Sequence, residues 1–158
     1  MKNKIYRNFF TIRILIVLSL LFTAAFSEES AEELFNTALK YQKNGQLDQA
    51  EQYYKASLKL KSDVDAMYNL GILYEDKNNY TEAEKYFKMA YDAGLSKAAY
   101  KLGYVYSKLN KKDLSERYYL QSVTKDNNID AMYNLAVLYN SSSKKNDAIK
   151  YFKMAADK

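Results

Sequence analysis

Apolar residues along this chain recur at helical spacing in paired runs, each pair divided by a polar turn. Met67, Leu70, Gly71 and Tyr74 stand at i, i+3, i+4 and i+7, one face of a helix. Ala83, Phe87 and Ala90 stand at i, i+4 and i+7, one face of a second. Between them Asp76-Lys77-Asn78-Asn79 is polar and turn-prone. The unit is a helical hairpin whose apolar stripe needs a neighbour to cover it. Applied to the whole chain, the spacing predicts eight helices, at 30–43, 46–60, 64–76, 79–92, 96–108, 112–124, 129–140 and 144–157. Asp63 and Asn128 are placed to cap the third and seventh, and Ser30 with Glu33 forms a capping-box pattern at the first.

The hairpin repeats. Residues 65–90 align without a gap on residues 130–155, an offset of 65, with 15 of 26 positions identical. A third copy lies between: Leu102, Gly103, Tyr106 and Tyr119 take the places of Leu70, Gly71, Tyr74 and Phe87, 32 residues on. A fourth lies upstream, with Leu34, Ala38, Tyr41, Ala50 and Tyr54 displaced by 33 residues. The repeats fall at about 31–63, 64–95, 96–128 and 129–158. A period in this range signals a solenoid, in which each hairpin packs on its neighbours. The small residues Gly71, Ala83, Gly103 and Ala148 fit the closest helix crossings. Tyr74, Phe87, Tyr106, Tyr119, Tyr139 and Phe152 fill the space around them.

These residues identify a family. Each unit resembles a tetratricopeptide repeat, whose pattern is a large residue, Leu-Gly and Tyr on the first helix, then Ala, an aromatic and Ala on the second. The second repeat carries it as Met67, Leu70-Gly71, Tyr74, Ala83, Phe87 and Ala90, and the fourth as Met132, Leu135-Ala136, Tyr139, Ala148, Phe152 and Ala155. In the third, Ser115 and Ser122 replace the two alanines of the second helix. The first ends on Ser57, with Asn44-Gly45 at its turn. The family's proline near the repeat end is absent, because the chain has no Pro. Residues 91–103 and the closing Met154-Ala155-Ala156 also resemble the related Sel-one-like repeats. Either resemblance implies an all-α fold, a right-handed α-solenoid of four hairpins.

Ahead of the repeats, residues 1–27 read as a secretory signal peptide. Lys2, Lys4, Arg7 and Arg13 form a basic leader, residues 14–22 an apolar stretch, and Ala25 and Ser27 the small residues that a signal peptidase reads. Cleavage is expected between Ser27 and Glu28, leaving residues 28–158 as the repeat domain, exported to the periplasm or secreted. The alternative is an uncleaved inner-membrane anchor. The uncharged run is 14 residues, whereas a spanning helix needs ~20.

The leader changes the charge balance. The chain has 24 Lys and Arg against 19 Asp and Glu, a net charge of +5. Four of the basic residues and none of the acidic ones lie in residues 1–27, so the chain from Glu28 carries 20 against 19. Nucleic-acid binding thereby loses its electrostatic support, and Lys108, Lys111 and Lys112 read as a solvated turn. The chain has neither Cys nor His, which excludes thiol nucleophiles, His-based triads and the usual zinc sites.

No motif points to a reaction or a cofactor. Asp126, Asn128 and Asp130 have the opening spacing of a calcium loop, but Ala131 stands for its Gly and Val137 for its Glu. They are expected to form a turn and a helix cap, and no metal site is assigned. Asn79-Tyr80-Thr81 and Asn140-Ser141-Ser142 match the glycosylation acceptor pattern. Glu32, Glu33, Glu82 and Glu84 are expected on solvated faces, which leaves a carboxylate-based cell-wall enzyme as a minor alternative.

What remains is a surface. In tetratricopeptide arrays the first helices line a concave groove that receives an extended peptide or a partner helix. Matching that pattern, the second repeat offers Tyr68, Asn69 and Ile72, the third Lys97, Tyr100, Lys101 and Tyr104, and the fourth Tyr133, Asn134 and Val137. Tyr gives broad contact with a polar tip, and the Asn amide can pair with a peptide backbone. Some family members grip a chaperone's terminal carboxylate. Asn69, Lys97 and Lys101 match three places of that clamp, while Phe35 and Leu39 occupy the other two. Ile149, Tyr151, Phe152 and Met154 on the last helix are a candidate edge for a homo-oligomer. The expectation is a non-catalytic scaffold of the bacterial envelope that binds a protein or peptide partner. The alternatives are a membrane-tethered and a self-assembling structural protein.

Overall fold

A computed structural model describes residues 29–158, which places the proposed leader and the Ser27–Glu28 cleavage site outside the described residues. Among the described residues eight α-helices follow one another: α1 Ala31–Lys43, α2 Leu47–Leu60, α3 Val64–Asp76, α4 Tyr80–Asp92, α5 Ala98–Lys108, α6 Lys112–Asp126, α7 Ile129–Ser141 and α8 Lys145–Ala156. They pair as four hairpins, and each hairpin packs on the next in sequence. The fold is an all-α solenoid.

Local chemistry sets where these helices begin and end. Asp63 Oδ1 accepts from the backbone N–H groups of Asp65 and Ala66 at 2.9 and 3.0 Å, capping α3 as expected. Asn128 Oδ1 accepts from Ala131 N–H at 2.8 Å and caps α7. Each hairpin turn contains one residue with positive φ: Gly45, Asn78, Asn110 and Ser143. The first three are residue types that tolerate the left-handed region, and Ser143 is not. Most helix ends fall within one residue of the expected bounds, and two depart by two residues. α5 starts at Ala98 rather than 96, because Ser96 and Lys97 form a turn in which Ala98 N–H donates to Leu95 O at 3.0 Å. α6 runs on to Asp126 and closes at left-handed Asn127.

The core is a seam through the stacked hairpins. Ala38, Tyr54, Leu70, Phe87, Leu102 and Leu135 are fully buried along it, and an aromatic side chain so buried contributes about 2–3 kcal/mol. Within every hairpin a tyrosine of the first helix packs on one of the second. Tyr41–Tyr53, Tyr74–Tyr86 and Tyr106–Tyr118 are stacked with centroids 5.2, 5.5 and 5.4 Å apart, and Tyr139–Tyr151 is tilted at 5.6 Å. This ladder uses eight of the 17 tyrosines in the sequence.

A second periodic device joins one hairpin to the next. Tyr74 Oη donates to Glu51 Oε1 at 2.7 Å, and Lys77 Nζ donates to Glu51 Oε2 at 2.8 Å. At the last junction Tyr139 Oη donates to Glu116 Oε1 at 2.9 Å, with Lys144 Nζ 3.3 Å from Glu116 Oε2. At the middle junction Lys111 Nζ donates to Glu84 Oε2 at 2.8 Å, and Glu84 also bonds Tyr106. Glu84 is therefore not a carboxylate on a solvated face, as the sequence suggested, but a structural link. Lys111, expected in a solvated turn, supplies its counter-charge. Burial pushes the Glu51 carboxyl up, but hydrogen bonds from Lys55, Lys77 and Tyr74 outweigh it and hold it at about 2.

Candidate functional site

The first helices α3, α5 and α7 bring most of the expected binding residues onto one continuous face. Tyr68 on α3 lies half-buried against Phe87, centroids 5.5 Å apart, with Lys97 Nζ 4.5 Å above its ring. Lys97 is exposed and makes no ion pair among the described residues, so its charge lies over an aromatic surface. On α5, Tyr100 Oη accepts from Asn134 Nδ2 of α7 at 3.4 Å, which is a long, weak bond. Tyr104 is half-buried one turn later, with Lys108 Nζ 5.2 Å from its ring centroid. Burial raises the pKa values of the Tyr68 and Tyr100 hydroxyls, and the Glu75 carboxylate adds to both shifts. Both phenols stay neutral and keep a proton to donate.

One expected residue, Lys101, serves a different role. Lys101 Nζ lies 3.0 Å from Glu75 Oε1, and both side chains are largely covered, 22% and 18% exposed. This pair spans α3 and α5, so Lys101 is neutralised by the fold rather than presented to a ligand. Glu75 is not singled out by the sequence, where it falls at the end of a helix just before the polar turn 76–79; only packing turns it inward. Its other oxygen, Oε2, is buried without a hydrogen-bond partner. With Lys101 paired, Lys97 laid over Tyr68, and Phe35 and Leu39 half-buried in the core, the terminal-carboxylate clamp has no assembled cationic pair.

Asn69 is half-buried on α3, and its amide makes no side-chain bond among the described residues. Ile72 packs into the core beside it. Tyr133 and Val137 on α7 are 55% and 44% exposed. The ring of Tyr133 meets Phe152 edge-on at 5.6 Å. The face is therefore most enclosed between α3 and α5 and opens toward α7.

Elsewhere the surface offers less. One open depression of about 490 Å³ lies over the turn Asn110–Leu114. Another, of about 320 Å³, lies between α2 and α4, floored by Leu58, Tyr86 and Met89. Neither gathers convergent polar groups. The acidic run also resolves into structure: Asp126 accepts from Ser96 Oγ at 2.7 Å, while Asn128 is committed to its cap. Among the described residues, no helix is long and apolar enough to cross a membrane, and no cluster of three acidic side chains is placed to hold a metal.

Comparison with known proteins agrees with this architecture. Models of the tetratricopeptide repeat match residues 35–96, 96–128 and 130–158. No curated protein matches the chain in sequence. Among solved structures, a crystal structure of MamA aligns with a TM-score of 0.78 at 24% identity, covering 83% of this chain and 79% of that one. PilF of Pseudomonas aeruginosa aligns at 0.75 with 20% identity, covering 83% of this chain and 62% of its own. YrrB, described as a TPR protein with an unusual peptide-binding site, aligns at 0.74 with 27% identity, covering 86% of this chain and 73% of its own. With matches that leave almost none of the four hairpins uncovered, this chain belongs to the tetratricopeptide repeat family.

Proposed function

We propose that this protein is a non-catalytic scaffold that binds an extended peptide or a partner helix along the face of α3, α5 and α7. One observation carries the reading. Tyr68, Tyr100 and Tyr104 form a row of half-buried rings, flanked by the cation of Lys97, which has no ion pair among the described residues, and by the amide of Asn69, which has no hydrogen-bond partner among them. Rings held by packing lose little conformational freedom when a ligand arrives. A free amide offers both a donor and an acceptor to a peptide backbone. The likeness to YrrB, whose description includes a peptide-binding site, supports the same class of ligand.

Residues 1–27 make this an exported scaffold, periplasmic or secreted after cleavage between Ser27 and Glu28. The basic leader, apolar stretch and small residues at Ala25 and Ser27 support that part of the reading.

A random peptide library displayed on phage and selected on the purified chain tests the binding face. Selected peptides are expected to bind Asn69→Ala/Tyr104→Ala at least about tenfold more weakly than wild type, roughly 1.4 kcal/mol, with helix content unchanged. Equal affinity for both proteins would remove the proposal. Sequencing the amino terminus of protein from the cell envelope tests export, with Glu28 as the expected first residue.

A further inference from the structure

The three junctions inside the array define what a hairpin needs from the one that follows. Each uses a glutamate just after the small residue of the second helix: Glu51, Glu84 and Glu116. The matching position in the fourth hairpin is Ile149, which is 53% exposed. An aliphatic side chain thus stands where a carboxylate receives a tyrosine and a lysine from the next repeat. Around it the same face stays apolar. Of the seven large apolar side chains exposed among the described residues, five belong to the last hairpin: Ile129, Tyr133, Val137, Ile149 and Phe152. Tyr133, Val137, Ile149 and Phe152 follow i, i+4 spacing on α7 and i, i+3 spacing on α8, and the Tyr133–Phe152 contact joins the two helices into one surface.

We propose that this end face pairs with the same face of a second copy, making a two-fold dimer through α7 and α8. Two observations select that occupant over another hairpin stacked in register. A repeat of the internal kind would set a tyrosine hydroxyl and a lysine against Ile149 and leave both without their acceptor, a costly arrangement. The first hairpin of a second copy fits no better: it carries Tyr41 with polar Asn44 and Gln46, and none of the exposed large apolar side chains is on α1. Among the described residues the end face gathers five of the seven exposed large apolar side chains, so a second copy of it supplies the most apolar surface to meet its own. Its rim carries both signs, Asp130 and Asp147 with Lys145 and Lys153, all exposed, so pairing like faces does not gather like charges alone. A self-complementary contact of this kind closes at two copies. Helices of 13 and 12 residues are about 20 Å long. The patch is therefore a few hundred Å² per copy, at the small end of specific interfaces, and the dimer is a weak one.

Sedimentation velocity of the full chain from the micromolar range upward tests this, beside Ile149→Glu, which installs the residue found at the three internal positions, and Val137→Lys. Both sites are solvent-facing, so circular dichroism should show unchanged helix content. The expected result is a monomer–dimer equilibrium in wild type, weakened about tenfold or more in each variant. A chain that stays monomeric, a dimer that both variants leave intact, or association that runs past the dimer would each overturn the proposal.

Discussion

The ring of Phe87 occupies the space where a side chain on Gly71 would begin. A Cβ built on Gly71 would sit 2.5 Å from Phe87 Cδ1 and 2.9 Å from its Cγ, and Tyr119 stands over Gly103 at the same distances. Because Cγ is near the root of the ring and Phe87 is fully buried, the ring cannot swing away. Gly71→Ala gains about 1 kcal/mol of helix propensity but overpacks the crossing by about 2–3 kcal/mol. A net loss of roughly 1–2 kcal/mol is expected in chemical denaturation, and Phe87→Leu in the same chain should recover part of it. An unchanged or higher stability would show that the crossing can open.

The Tyr74–Glu51 link predicts both a coupling and an acid transition. A double-mutant cycle of Tyr74→Phe and Glu51→Gln should return about 0.5–1.5 kcal/mol. The Glu51 carboxyl is lowered from 4.5 to about 2 in the folded chain. The stability it contributes is therefore present above pH about 4.5 and is lost as the pH falls toward 2. Thermal melts across that window should show a shallower decline for Glu51→Gln than for wild type.

At the alkaline end the sign reverses. Burial pushes the Tyr54 hydroxyl up to about 12 and raises those of Tyr106, Tyr119 and Tyr139 as well. Their contribution is complete below pH 10 and is lost as the pH rises through the folded values. Tyrosinate absorbance should thus rise in two steps. The accessible rings ionise first, and the buried set ionises together with loss of helix. A single smooth titration with full helicity would contradict the packing described above.

Ser122 is buried with its hydroxyl unpartnered, at a position that holds Ala90 in the second repeat and Ala155 in the fourth. Ser115, by contrast, donates to Gly103 O at 2.8 Å. Ser122→Ala should stabilise the chain by about 1 kcal/mol, while Ser115→Ala should be neutral or costly. The pair of denaturation midpoints distinguishes a satisfied buried hydroxyl from an orphaned one.

Lys101 gives a warning for mutagenesis of the binding face. Lys101→Ala alone leaves the Glu75 carboxylate largely covered and without its cation, which is expected to cost about 1–3 kcal/mol. Lys101→Ala/Glu75→Gln should recover much of that loss. Ligand affinity for the double variant, rather than the single one, reports whether this pair belongs to binding or only to the fold.

Much of the molecule was legible in the chain because a solenoid is local. Helix period, turn residues and small residues at crossings all act within one repeat of about 33 positions, so eight helices and the Asp63 and Asn128 caps followed from spacing alone. The inter-repeat glutamates were harder to see. Glu51, Glu84 and Glu116 recur with the repeat, yet in a helix that reads as amphipathic a periodic carboxylate looks like a solvated one. The substitution of Ile149 for Glu84 between the two most alike repeats was the visible trace.

The sequence by itself determined the repeat, its register, the placing of the eight helices to within about two residues and the residue types offered by the first helices. Only the tertiary structure decided how those residues are used: that Lys101 is neutralised by Glu75, that Lys97 lies over the ring of Tyr68, and that Tyr133 is left open while Tyr68 and Tyr100 are half-covered. The reason is physical. Helix periodicity depends on neighbours three and four residues away, whereas an ion pair or a covered ring depends on which side chain the next repeat, about 30 residues on, places within a few ångströms.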